Sequence, residues 1–436
     1  MAIATALMLI GQAAHAQSLS TLFQSATGYD ATYAAAKAQA QASRARADQA
    51  RAGVLPVAGL SAGISRSSQE VIPDIGTKSD RSFGARSMSL SLSQALYRPS
   101  NWATYEQGKR QLELADAVLA GAEQEVMMRL SQAYFDVLAA KDTLVFIGAQ
   151  KAAITEQLAS AKRNFEVGTS TITDTREAQA RYDLMLAQEV SAQNDLRIKT
   201  LALESVSGVA GAQPKPLMPV SALPEVAIGT LDEWVVKAVA VHPTVKQATL
   251  AVAVAKLEVD KASAAHKPTV DLTASYGKSQ NAGGSGSSAI GSRATSGSIG
   301  VNFNMPLFAG FAHENRIKET MALLDKATTD LTNAERSIAQ AVRSAYLGTQ
   351  SLAGQIKALQ AAEQSSQSAL DANRLGYQVG VRINIDVLNS QTQLFQTKRD
   401  LAKARYDYLV AGLRLRQAAG QLEVSDLDRV NGLLAQ

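Results

Sequence analysis

The sequence predicts an α+β membrane protein whose protomer supplies four strands to a trimeric, twelve-stranded β-barrel continued by a long α-helical barrel. Three observations carry this: two long tracts without proline, four short segments of alternating polarity, and a fixed internal offset that makes one half of the chain a copy of the other.

The ten prolines stand at 56, 73, 99, 214, 216, 219, 224, 243, 268 and 306, so that residues 100 to 213 and 307 to 436 hold none. Proline removes a helical hydrogen bond and clashes with the preceding turn, so its absence marks where long helices are free to run. Both tracts are rich in Ala, Leu, Gln, Glu, Lys and Arg, with apolar residues at helical spacing such as Leu112, Val118, Leu119, Val126, Leu130 and Tyr134. Aromatic residues make up only 5% of the chain. Ordinary globular cores draw more of their buried area from aromatic rings, so side-by-side helices fit the composition better.

The duplication shows as a shift of 212 positions. LPVAGLSAG from Leu55 matches KPTVDLTAS from Lys267, with Pro56 against Pro268, and NFEVGTSTITD from Asn164 matches GYQVGVRINID from Gly376. Ala133-Tyr134 meets Ala345-Tyr346, and Ser207-Gly208 meets Ala419-Gly420, at the same shift. Several landmarks that are not alanine, all in one register, are the signature of an internal repeat.

The elements follow in order. Residues 1 to 16, MAIATALMLIGQAAHA, read as a secretory leader with an apolar stretch and a small-residue end, with cleavage before Gln17. The first repeat is expected over 17 to 213. It has a helix over about 19 to 52, strands over about 54 to 68 and 82 to 96, and a helical hairpin over about 100 to 207. Residues 214 to 229 read as a linker. The second repeat, 230 to 436, has a helix over about 230 to 264, strands over about 268 to 280 and 295 to 308, and a hairpin over about 311 to 419. Each hairpin turns at Val167-Gly168-Thr169 or Val379-Gly380-Val381, and Asp174 and Asp386 stand where an N-cap is wanted. The first arm of each hairpin would span roughly 100 Å at 1.5 Å per residue.

Met88-Ser89-Leu90-Ser91-Leu92-Ser93 and Ile299 to Met305 alternate strictly, and Val270, Leu272, Ala274 and Tyr276 form one apolar face. Apolar residues outside and small or polar ones inside are the pattern of a membrane β-barrel. Tyr97, Trp102, Phe308 and Phe311 stand just past the strand ends, where an interfacial aromatic belt belongs. Open strand edges do not survive in lipid, so four strands require oligomerisation. Two copies give eight strands, whose interior side chains fill the lumen, whereas three give twelve and an open passage.

Other classes fit poorly. No Cys is present, which excludes a disulfide scaffold, a thiolate site and a lipid-modified N-terminal Cys. The histidines, His15, His242, His266 and His313, have neither metal-ligand nor triad spacing, so no catalytic, metal or cofactor site is expected. The net charge of +4 is spread over 43 basic and 39 acidic residues without a basic stripe, which argues against nucleic acid. The Gly283 to Ser288 run lacks the Gly-Lys-Ser/Thr of a phosphate loop. The serious alternative is a periplasmic coiled-coil adaptor or structural protein, which shares the Ala/Gln-rich helices but not the paired alternating strands.

RNFEVGTSTITD (163 to 174), REAQARYDLMLAQEV (176 to 190), LPVAGLSAG and YQVGVRINIDVLNSQTQLFQTKRDLAKARYDYL (377 to 409), in this doubled order, resemble the TolC family of outer-membrane efflux and type I secretion channels. The resemblance covers essentially the whole mature chain. It implies a homotrimer in the outer-membrane lipid with a periplasmic helical tunnel and no catalytic function. It further implies a tunnel closed at its tips and opened by a periplasmic adaptor (membrane fusion protein) and an inner-membrane transporter of ABC or RND type. It places gate latches on Thr173, Asp174, Tyr377 and Arg382, and the adaptor contacts on the tips Val167, Gly168, Thr169, Val379, Gly380 and Val381. An acidic entrance ring falls on Asp386, while its second position is Asn389, so a trimer would carry three rather than six charges there. The missing Cys disfavours the lipid-anchored branch of the family.

Overall fold

The computed structural model describes residues 17–72, 74–76, 78–218, 229–282 and 291–435. The leader, most of the linker and the Gly283 to Ser288 run lie outside the described residues.

The order is α1 (Leu19–Tyr29), α2 (Ala31–Ala52), β1 (Val57–Val71), β2 (Ser79–Tyr97), α3 (Pro99–Glu166), α4 (Ile172–Ser207), α5 (Leu231–Val241), α6 (Pro243–Ser263), β3 (Thr269–Ala282), β4 (Ser292–Asn304), α7 (Ala312–Gln378), α8 (Asn384–Ala418) and α9 (Val424–Asn431). The set from α1 to α4 recurs as α5 to α8, and α9 is an addition. By contact density the chain forms two compact units: Gln39–Ala117 with Gln247–Asn333, and Met1–Ala38 with Val118–Lys246 and Ala334–Gln436.

The first unit holds one antiparallel meander in the order β1-β2-β3-β4, with the β2–β3 pairing joining the two repeats. Strand register sorts the residues by face. One face reads Leu60, Leu90, Tyr276 across one rung and Leu92, Ala274, Ile299 across another. All but the half-buried Ala274 are exposed, the lipid side of a barrel wall. The other face carries hydroxyls and glycines that bond one another across strands: Ser61 to Ser89 at 2.7 Å, Ser275 to Ser298 at 2.9 Å, and the Asn302 amide donating to Thr273 Oγ1 at 3.1 Å. Tyr97, which is the last residue of β2 and not past its end, and Trp102, Phe308 and Phe311 beyond the strands are exposed, and Phe308 and Phe311 meet edge to face at 5.5 Å. Proline decides two boundaries. Pro99 opens α3 at its first turn, where no N–H is needed. Pro306 ends β4 at Asn304, short of the expected 308, and α7 then starts at Ala312 after a turn in which Phe311 has φ 63°.

The second unit holds the helical hairpins and the larger core. Leu19, Leu22 and Phe23 of α1, Leu130, Tyr134, Phe135 and Leu138 of α3, Leu409 and Leu413 of α8, and Leu427 of α9 form one buried cluster. The single entry helices expected over 19 to 52 and 230 to 264 are each broken, at Asp30 and at His242, the same place in the repeat. Asp30 Oδ1 accepts from Tyr33 N at 2.8 Å, capping α2, while its Oδ2 accepts from Arg129 at 2.7 Å. In the second copy Pro243 forces the break instead.

The described end of the expected linker is a packed strap. Gln17 N donates to Gln213 O at 2.8 Å, Met218 N to Leu433 O at 2.9 Å, and Ala435 N to Pro216 O at 2.8 Å. The fully buried Tyr134 pins it: its hydroxyl accepts from Lys215 N at 2.8 Å and lies 3.1 Å from Gln17 O, to which it donates. Burial pushes that phenol up, only partly opposed by the Lys215 amide. Tyr346 repeats the device 212 residues on, donating to Gly229 O at 3.1 Å.

Candidate functional site

The two hairpin tips, both within the second unit, are built alike. At the first, Gly168 has φ 78°, and its amide donates to Phe165 O at 3.0 Å while Thr169 N donates to Asn164 O at 2.8 Å. At the second, Gly380 has φ 77°, with Gly380 N to Tyr377 O at 3.1 Å and Val381 N to Gly376 O at 2.9 Å. A left-handed residue that satisfies the last carbonyls is how a helix stops in one step, and glycine bears it without strain. The turns leave Val167, Val379 and Val381 exposed, three apolar side chains at the ends of helices.

Helix α4 starts differently from expectation. Its N-cap is Thr171, and Asp174 is the third helical residue, closing a reciprocal box: Thr171 N donates to Asp174 Oδ2 at 3.1 Å and Asp174 N donates to Thr171 Oγ1 at 3.3 Å. Ser170 Oγ and Thr171 Oγ1 also donate to Asp174 Oδ2, at 2.7 and 2.9 Å. Partial burial alone would raise this carboxyl, but the two hydroxyls and the Thr171 amide outweigh it and hold it below the usual range. Asp386 likewise stands at the third position of α8, whose N-cap Ile383 has no side chain to offer. It pairs instead with Arg382 at 3.7 Å, one turn back.

Within one protomer three of the four expected latch residues have partners, and for Asp174 and Arg382 these are local. Asp174 is occupied by its own turn, and Arg382 by Asp386. Tyr377 packs on Leu370, Val387 and Leu394, and its hydroxyl accepts from the Asn164 amide at 3.3 Å. Thr173 is exposed, with no hydrogen-bond partner for its hydroxyl among the described residues.

Besides the Asn164–Tyr377 bond, what ties the hairpins together is a set of amides and one guanidinium, of which only Asn389 was among the sequence expectations. Asn384, 0% exposed, accepts from the Gln157 side-chain amide of α3 and donates to the Asp174 carbonyl of α4 at 3.4 Å. Asn389, the expected ring position, accepts from Arg181 of α4 at 2.9 Å. Apolar contact of Leu388 with Ile154, Leu158, Ala178 and Met185 lies beside them. A cavity of about 240 Å³, lined by Ile154, Arg181, Met185, Thr392 and Arg399, separates the hairpins a few turns further from the tip. The signal for these residues was divergence between the copies: Asn384 stands opposite Ile172, Asn164 opposite Gly376 and Arg181 opposite Gln393 at the 212 offset.

A protomer with four strands, one apolar sheet face, and two long helical hairpins closed by hydrogen bonds at their tips defines the class of barrel-and-tunnel outer-membrane channels. The sequence model of the family described as outer membrane efflux protein matches residues 22–209 and 234–421, two segments at the same 212-residue offset. The chain is 31% identical over 429 residues to outer membrane protein TolC of Vibrio cholerae, covering 98% of this chain and 96% of that one. It is 33% identical over 365 residues to the alkaline protease secretion protein AprF of Pseudomonas aeruginosa, covering 81% and 73%. The crystal structure of the outer membrane protein VceC from Vibrio cholerae superposes with a TM-score of 0.79 at 19% identity, over 92% of this chain and 96% of that one, which shows a shared fold. The chain thus belongs to the outer membrane efflux protein family, as an outer-membrane exit duct with its helical part in the periplasm. A free-standing coiled-coil protein, the alternative reading of the helices, is set aside by the same finding.

Proposed function

We propose that three copies of this chain form a passive duct that serves efflux pumps, type I protein secretion or both. The duct rests closed at the hairpin tips and opens when a periplasmic adaptor and an inner-membrane transporter of ABC or RND type engage it. No catalytic step belongs to this role. The two free edges of the sheet, on β1 and β4, support the trimer, because only closure on neighbouring copies pairs them. The similarity to AprF, a secretion protein by name, supports protein export among the uses.

The observation that carries the gate is the network at Asn384 and Asn389: polar, directional, and placed where the two hairpins of one protomer meet. Hydrogen bonds of about 1 kcal/mol each are strong enough in sum to hold a tip closed and weak enough to yield to a binding partner. Thr173, Asp174, Tyr377 and Arg382 then act across the tips of the assembled trimer, adding contacts to those made inside each protomer. The adaptor engages the exposed Val167-Gly168-Thr169 and Val379-Gly380-Val381 turns, whose apolar side chains suit a helical partner. The Asp386 ring contributes three carboxylates at the entrance and gives modest cation preference.

Replacing Tyr377 with Phe and Arg382 with Ser together raises single-channel conductance in planar bilayers if this assignment is right; unchanged conductance removes those two from the latch. Deleting the gene while assaying both antibiotic sensitivity and secreted proteins separates the two kinds of cargo.

A further inference from the structure

The lipid face of the sheet carries a cation cluster that conduction does not use. Moving away from the helices, the apolar rungs end at Leu60, Leu90 and Tyr276. The next rung pairs Ala62, Met88, Lys278 and Thr295, and the one beyond it pairs Ile64, Arg86, Gln280 and Arg293. Lys278 is thus diagonal to both Arg86 and Arg293 on its two neighbouring strands, a separation of roughly 7 Å. All three are exposed, and among the described residues none forms an ion pair. Further out on the same face, Arg66 donates to Ser82 Oγ at 3.3 Å and Glu70 is taken by Lys78.

Three like charges on adjacent positions repel one another, and among the described residues no carboxylate pairs with them. They stand at the upper edge of an apolar band and beside Tyr276, a residue type that favours the interface between hydrocarbon and headgroups. The strands join the periplasmic helices at the other end, so this edge faces the outer leaflet. We propose that Arg86, Lys278 and Arg293 form a binding site for the phosphate groups of an outer-leaflet glycolipid, with its acyl chains on the Leu60, Leu90 and Ile299 band. Guanidinium and ammonium groups bind phosphate oxygens by charge-assisted hydrogen bonds, and the Gln280 amide between Arg86 and Arg293 adds a neutral donor. The site depends on the lipid-facing assignment of the sheet and not on the gate.

The test is native mass spectrometry of delipidated full-length trimers in detergent, titrated with bisphosphorylated lipid A, dephosphorylated lipid A, or inorganic phosphate as competitor. Near an anionic surface each cation contributes roughly fivefold, so R86Q/K278Q/R293Q is expected to weaken bisphosphorylated lipid A binding about a hundredfold. The wild type is expected to bind the dephosphorylated lipid correspondingly less and to keep its phosphorylated lipid in millimolar inorganic phosphate. Substituting Ser87 and Ser279 with Gln, on the opposite face of the sheet, leaves binding unchanged. Equal binding by the triple variant, equal binding of the dephosphorylated lipid, or full displacement by inorganic phosphate overturns the proposal. If the triple variant does not assemble, K278Q alone decides the matter, with roughly a fivefold loss expected and no loss contradicting it.

Discussion

Replacing Asn384 with Ala tests the tip network at its most buried point. Asn384 is 0% exposed and makes two hydrogen bonds, one from the half-buried Gln157 amide and one to the Asp174 carbonyl of α4, so the substitution leaves the Gln157 amide without this partner and takes from the carbonyl the bond it makes in addition to its helical one. An unsatisfied buried polar group costs about 1–3 kcal/mol. Because the Asp174 end lies near the exposed turn, water recovers part of that cost, and the net penalty for the closed tip is about 2 kcal/mol. This shifts the balance between closed and separated hairpins about thirtyfold in each protomer. Purified N384A trimers in planar bilayers are expected to show more frequent and longer high-conductance openings than wild type. Amides of the first turn of α8 should also exchange with solvent about thirtyfold faster. N384D, which keeps the acceptor for Gln157 but loses the donor to Asp174, should fall between the two. Intact N384A trimers with wild-type conductance and wild-type exchange would refute the idea that this residue holds the tip.

Other expectations follow from the same geometry. Because the folded Asp174 carboxyl titrates below its unfolded value, its contribution is complete above the unfolded pKa and is lost as pH falls through the lower folded one. Amide exchange at the start of α4 should therefore speed up on acidification below about pH 4, by an amount equivalent to about 1 kcal/mol. D174N should show the faster exchange already at neutral pH. Tyr134→Phe removes the hydroxyl that bonds both Lys215 N and Gln17 O, leaving them only their mutual 3.3 Å bond, and should cost about 1–3 kcal/mol, whereas Tyr346→Phe loses one carbonyl partner and about 1 kcal/mol. The midpoints of trimer heat dissociation on gels should fall in that order. Asp30→Ala removes a carboxylate that is 7% exposed, and with it both the α2 cap and the ion-pair partner of Arg129, with an expected loss of about 3 kcal/mol in the same assay. Asn389→Asp restores the second acidic ring only in part, because Arg181 already sits 2.9 Å from that side chain. Block by a trivalent cation should rise modestly in N389D and further in N389D/R181Q.

Local pattern and the repeat offset revealed the hairpins, the four strands and their faces, because each depends on periodicity or on proline. Features set by distant partners were hidden. The break at Asp30 falls in an Ala-rich run that favours an uninterrupted helix, and it needs Arg129, far along the chain, to hold the capping carboxylate. The strap at Gln213 to Met218 has no periodic signature, since its partners are the two chain ends. At the tips, the resemblance pointed to Asp174 and Arg382, which within a protomer serve their own turns, and to Tyr377, which reaches across to Asn164. Asn384, Gln157 and Arg181, which bridge the hairpins, stood out in the sequence only as places where the two copies differ. Asp174 and Asp386 were placed at the right turn but at the wrong position, because an N-cap preference and a capping-box preference both put an acid near a helix start.

The most direct measurement exploits the absence of cysteine in the native sequence. Gln157→Cys with Asn384→Cys places a thiol pair across the two hairpins of each protomer, and single-channel conductance is recorded before and after reduction. Closure by the tips predicts a low-conductance channel while the disulfide is intact and a several-fold increase when it is reduced, since the native hydrogen bond has been lost as well. Oxidised trimers that conduct as well as reduced ones would show that separation of the hairpins is not what opens the duct.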